Sequence, residues 1–294
     1  TRIVGREMLM GDEEKVHLRW LMRRVEAFTG VRVLTYALMT NHFHLLLEEP
    51  DRNTVVSDEM MIERMRGLYS EAEMAEIEER WDLWLSDGNV SAVEDDKKRY
   101  KRRMHDISEF MKTLKHRFSF WYNKKYQRKG TLWSERFKSV LVEGGDVLRT
   151  VAAYIEMNPV RAGLVGDPQG YCFCGLGDAV AGSADARQGI VELMRMKQAA
   201  FGCFEEKDWL EAGTAYHDEV LLYGSAKDAG LSLSMIYEPE GGALSGADCR
   251  LLSCNVTIIY NPLQRVGPYL ERIVGYCHVA GILAMVRCSA VRNL

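Results

Sequence analysis

At 294 residues, 47% hydrophobic and 27% charged, the chain can bury a sizeable core, which excludes a disordered or fibrous architecture. No run comes near the roughly 18 uncharged apolar residues of a membrane helix, and Thr1–Arg6 lacks the charged-then-apolar layout of a signal, so no membrane span and a cytoplasmic location are expected. Seven cysteines, all in the C-terminal half and without a Cys-x-x-Cys pair, exclude a disulfide framework or zinc ribbon, and a net charge of -4 argues against a nucleic-acid partner only if it is evenly spread.

In chain order, Ile3–Met8 reads as what remains of a strand cut short at Thr1. Asp12–Gly30 opens on an acidic turn, carries Leu18, Leu21, Met22, Val25 and Phe28 at helical spacing and ends on glycine, which predicts a helix. Val31–Met39, the turn signal Thr40-Asn41 and the apolar run Phe43–Glu48 predict a hairpin. Glu71–Glu79, Asp82, Asp87 and Glu94–Asp96 mark an acidic helical insertion around Trp81 and Trp84, over about residues 55–96, read as a spacer or cover.

From Lys97 to Lys138 the charge reverses, with fifteen Lys and Arg against three acids and aromatic residues throughout. Cations neutralise phosphates and aromatic faces stack unpaired bases, so the mixture suits a single strand or a hairpin. The candidate DNA contacts are Lys112, Lys115, Arg117, Lys124 and Lys125, followed by Arg128, Lys129, Trp133, Arg136 and Lys138. A solvated helix face over an ordinary core explains part of the block, because Ile107, Phe110, Met111, Leu114 and Phe118 keep helical spacing through a helix predicted at Ser108–Asn123. A strand at Ser139–Glu143 and a helix at Asp146–Met157, stopped by Asn158-Pro159, complete the order β-α-β-β-α-β-α. Beyond about Gly182 the signals weaken into helices near Ala186–Ala199 and Glu205–Tyr223, a strand at Cys254–Tyr260 and a helix at Pro268–Val279.

Three short patterns carry chemistry. Asn41-His42-Phe43-His44 sets two imidazoles at i and i+2 on a strand, so both rings project from one face and can grip one metal. Alone, such a pair is more often structural than ligating. Tyr154 and Asn158 stand at i and i+4 on one helix face, where the amide oxygen could complete a three-ligand site for Mg²⁺ or Mn²⁺ and the phenol would lie beside the bound phosphate. Asn before Pro is equally a routine helix stop, a helical tyrosine is usually packing, and Tyr122 and Tyr126 are rival phenols.

Together, three segments resemble the REP-associated tyrosine transposases, a branch of the single-tyrosine HUH transposases: Tyr36–Leu47, Gly130–Ser139 and Tyr154–Leu164, in that order. The resemblance covers about Thr1 to Tyr171 and implies a ferredoxin-like α+β fold of the HUH endonuclease type, with an antiparallel sheet and helices on its faces. It implies His42 and His44 as metal ligands, Asn158 as the third, and Tyr154 as nucleophile. It also implies palindromic, hairpin-forming single-stranded DNA repeats as substrate, nicked and rejoined through a 5′-phosphotyrosine, in a bacterial, nucleoid-associated setting. Residues 1–175 are then the catalytic domain and 176–294 a mainly helical extension of open role. An idle hairpin-binding protein with a regulatory role, a small-molecule metal hydrolase and a replication or conjugation initiator are the alternatives; monomer or homodimer stays open.

Overall fold

The computed structural model describes residues 1–51, 54–134, 136–142, 146–195, 206–228 and 256–260. Helix α1 (Asp12–Thr29) begins where the sequence predicts, with Asp12, Glu13 and Glu14 at the positive end of the helix dipole and the Glu14 carboxylate accepting the Gly11 N–H at 3.0 Å. It stops at Gly30, whose φ of 71° is left-handed backbone that favours glycine. Strands β1 (Arg32–Leu38) and β2 (Phe43–Glu48) form the hairpin, closed over Thr40-Asn41 by the Met39 N–H donating to His42 O at 2.8 Å. Their antiparallel register sets Ala37 opposite His44 and Leu38 opposite Phe43.

The acidic insertion is three capped helices, α2 (Asp58–Leu68), α3 (Glu71–Ser86) and α4 (Val90–Lys101), opened by Ser57, Ser70 and Asn89. Helix α5 (Ile107–Lys125) follows, then β3 (Lys138–Val142), α6 (Asp146–Glu156) and the single turn α7 (Asn158–Arg161). Asn158-Pro159 ends α6 as expected, and Pro159 then serves as an early residue of α7, where its missing N–H costs nothing. Helices α8 (Gly175–Val180), α9 (Ala184–Arg195) and α10 (Glu206–Asp228) and strand β4 (Val256–Tyr260) complete the described chain. The helix expected at Pro268–Val279 lies outside the described residues.

The architecture is α+β, with two departures from the expected sheet. Ile3–Met8 is no strand: Arg2 and Ile3 make isolated bridges to His42 and Trp133, and Val4–Arg6 forms a 3-10 turn. The sheet order is β1-β2-β4-β3, with β4 parallel to both neighbours, so the sheet is mixed rather than antiparallel. The place between β2 and β3 is thus taken by a segment more than 200 residues downstream of β2, at Val256–Tyr260.

Strand alternation assigns the layers. Tyr36 lies under the Arg23 guanidinium of α1, and Phe43 packs edge-on to Trp133, which packs on Phe118 of α5, so α1 and α5 cover one side. Thr35, on the opposite side, donates its hydroxyl to Glu156 of α6. The outer edge of β1 is covered where Leu38 N–H donates to Phe173 O and where α9 crosses at Gly189. One contiguous core runs from Ile3 to Val220, so α8 to α10 share it with the first 175 residues.

Candidate active site

His42 precedes β2 and His44 lies on it, facing the α6 side with Thr35 and Ala37. Their rings stand 5.0 Å apart, edge to face at 88°. Tyr154, on the last turn of α6, brings its ring to 6.2 Å from that of His44, also edge to face. Residues 110 positions apart in sequence therefore meet on one side of the sheet, brought together by the packing of α6 on that face. The rival phenols are elsewhere: Tyr122 and Tyr126, on or just after α5, pack on one another at 4.6 Å with their rings tilted by 42°, and Tyr126 donates to Glu14 across the sheet from the histidines.

The imidazole chemistry fits a metal. The His42 Nδ1–H donates to Asn41 Oδ1 at 2.7 Å, which fixes the tautomer and leaves the Nε2 lone pair available. Burial, then the Arg2 charge, lowers the His42 pKa to about 4, so the ring is neutral at physiological pH. Two imidazoles with an amide oxygen are a donor set that could hold a divalent metal and leave positions open for a phosphate oxygen. Among the described residues no group of three or more His, Cys, Asp or Glu could hold a metal ion.

Asn158 is the amide in reach of α6. Its Nδ2 donates to Tyr154 O at 2.9 Å and Ile155 O at 3.1 Å, capping the carbonyl end of the helix. That is the helix-stop role, and it leaves Oδ1 as the atom a metal would use. Two further residues of the same segment were not assigned a function from sequence. Arg161 donates from Nη1 to Tyr154 O at 3.0 Å and lays its guanidinium carbon 4.8 Å over the Tyr154 ring. Glu156, fully buried two residues beyond Tyr154, accepts bonds from Thr35, from the Leu176 N–H at 3.0 Å and from the Tyr216 hydroxyl at 3.3 Å. Burial pushes its pKa up to about 7 against those bonds. It ties the helix of Tyr154 to β1, α8 and α10. A charged residue between Ile155 and Met157 in a strongly amphipathic helix was the available signal.

The basic block does not converge on Tyr154. Lys112 and Lys124 are exposed on α5, in the layer across the sheet from the histidines, while Lys115 lies over Trp133 at 5.9 Å. Trp133 is 6% exposed, sandwiched by Phe43 and Phe118 and bonded through Nε1–H to Lys115 O, so its ring is spent on the core. Arg117, Lys125 and Arg128 reach Glu73, Glu13 and Glu7. Lys129 and Arg136 are exposed, and Lys138 opens β3.

Residues 100–158 match the family model described as Transposase IS200 like, a stretch that runs from Tyr100 of α4 through α5 and β3 to Tyr154 and Asn158. Neither the curated proteins nor the solved structures give a match. The similarity supports a transposase-family role, hence a DNA-processing enzyme. Among the described residues no helix is long and apolar enough to cross a membrane.

Proposed function

We propose that the chain is a metal-dependent, single-tyrosine transposase of the REP-associated type, which nicks and rejoins single-stranded DNA at hairpin-forming repeats. The observation that carries this reading is that Tyr154, which lies inside the transposase match, stands 6.2 Å from His44 with His42 next to that ring, both histidines lying upstream of the matched residues. The layering of α1 and α5 against one side of the sheet and α6 against the other supports a ferredoxin-like HUH arrangement, with β4 as its departure.

His42 Nε2, His44 and Asn158 Oδ1 would hold the metal, which when bound supplies a Lewis acid that polarises the scissile phosphate and offsets its developing charge. Tyr154 attacks phosphorus. The new bond joins its phenolic oxygen to the 5′-phosphate, the bond to the 3′-oxygen breaks, the phenolic proton passes to solvent and the departing 3′-oxygen takes one up. Because the phosphotyrosine is itself a phosphodiester, another 3′-hydroxyl can displace the tyrosine and reseal the strand without ATP. Asn158 also holds the Tyr154 carbonyl, and Glu156 fixes the helix behind it, so the phenol is presented by a rigid element.

Incubation with 5′- and 3′-labelled hairpin oligonucleotides and Mn²⁺, resolved on denaturing gels, tests the reading. A protein-linked 3′-side fragment is expected from the native chain and from neither Tyr154→Phe nor His42→Ala, each losing at least roughly 100-fold in rate. Cleavage that survives Tyr154→Phe would remove the phosphotyrosine mechanism, and hairpin binding without any cleavage would make the chain a binding protein.

A further inference from the structure

We propose that Arg161 is a further catalytic residue of this site, whose guanidinium takes a non-bridging oxygen of the scissile phosphate as Tyr154 attacks; the inference rests on the reading of Tyr154 as nucleophile. The side chain is exposed, yet it is held at one place, with its guanidinium carbon 4.8 Å over the Tyr154 ring and Nη1 bonded to the Tyr154 carbonyl at 3.0 Å. That carbonyl already accepts the Asn158 amide at 2.9 Å, so a second donor with a full positive charge is more than capping requires.

The consequence is geometric. A phosphorus poised for attack stands about 3–3.5 Å from the phenolic oxygen, and the same ring that carries this oxygen carries the guanidinium on its face. Arg161 presents its donors in a planar fork that matches two oxygens of a phosphate, and it is anchored to the backbone of the nucleophile itself, so phosphate, phenol and cation keep one register. As the bond from Tyr154 forms, negative charge accumulates on the non-bridging oxygens, and a cation fixed beforehand at that position stabilises it without reorganising. The cationic block on α5 cannot serve here, because it lies on the other side of the sheet.

The test pairs Arg161→Gln with a substrate whose scissile phosphate is a methylphosphonate, in which a methyl replaces the charged oxygen. In single-turnover assays of the covalent adduct, Arg161→Gln is expected to lose roughly 100-fold or more on the ordinary hairpin but less than about threefold on the methylphosphonate, since contact and charge are then removed together. Arg161→Lys should keep part of the rate, and guanidinium ion added to Arg161→Gly should restore it saturably. Equal losses on both substrates, or no recovery with guanidinium, would show that Arg161 only braces α6 and overturn the proposal. If the native chain forms no adduct on the ordinary hairpin, the reading of Tyr154 fails first and this one with it.

Discussion

His42 and Glu156, on the same side of the sheet, pull the pH dependence of stability in opposite directions. The His42 pKa is lowered from 6.5 to about 4 by burial and the Arg2 charge, so as pH falls from 6.5 the unfolded chain takes the proton first and stability is lost, by on the order of 3 kcal/mol once pH reaches 4. Burial raises Glu156 from 4.5 to about 7, so its contribution is present below pH 4.5 and is lost, by a similar amount, as pH rises to 7. Between about pH 4.5 and 6.5 the two slopes oppose each other. In metal-free protein, Glu156→Gln is expected to expose the His42 slope, with the urea midpoint falling as pH drops through this window; a midpoint that does not fall would show that His42 is not held neutral by the fold. That His42 and His44 share one face of the sheet was legible in sequence because alternation along a strand is a local rule, whereas their meeting with Tyr154 was expected only from the family resemblance. Glu156 was not, because its partners Thr35, Leu176 and Tyr216 come from three distant segments.

At the scale of elements, boundaries followed local chemistry wherever it was strong: the acidic start and glycine stop of α1, the Thr40-Asn41 loop, the Asn158-Pro159 break. Placement followed long-range packing. Nothing local says that Val256–Tyr260 enters the sheet between β2 and β3, or that α9 closes the edge of β1. Gly189 shows what that closure demands, since a Cβ there would stand 2.5 Å from Leu34 O and 2.8 Å from Val33 O. Alanine is the better helix former by about 1 kcal/mol, yet backbone carbonyls cannot swing aside as a flexible side chain can. Overpacking of this kind costs about 1–3 kcal/mol, so Gly189→Ala should lower the denaturation midpoint; an unchanged or raised midpoint would mean that α9 does not press on β1.

For the whole molecule, neither net charge nor regional charge says how many cations of a basic stretch are free to meet an anion. The fifteen cations from Lys97 to Lys138 look like a phosphate track in sequence, but nine of them, from Lys97 and Lys98 on α4 to Lys125 and Arg128 beyond it, lie within 4.0 Å of a carboxylate. Several of those carboxylates belong to the insertion, where Asp58 alone holds Lys97 and Lys101 at 2.6 Å each and Glu73 meets Arg117. The acidic helices therefore complement the basic ones as internal counter-ions, and an exchange of one partner for another gives little net affinity. Among the described residues, Arg102, Lys124, Lys129 and Arg136 are the exposed cations of the block without a carboxylate ion pair, and half-buried Lys115 lies over Trp133. Each phosphate neutralised on a single strand contributes about −0.7 to the slope of log affinity against log salt, so the slope for hairpin DNA should fall near −3, against roughly −10 if the whole block met phosphates. Fluorescence anisotropy from about 50 to 200 mM salt separates the two. A slope near −10 would mean that DNA displaces the insertion's carboxylates and that α2 to α4 move when it binds; a shallow slope that steepens in Asp58→Asn, as Lys97 and Lys101 are released, would establish the insertion as the element that limits how much of the basic face DNA can use.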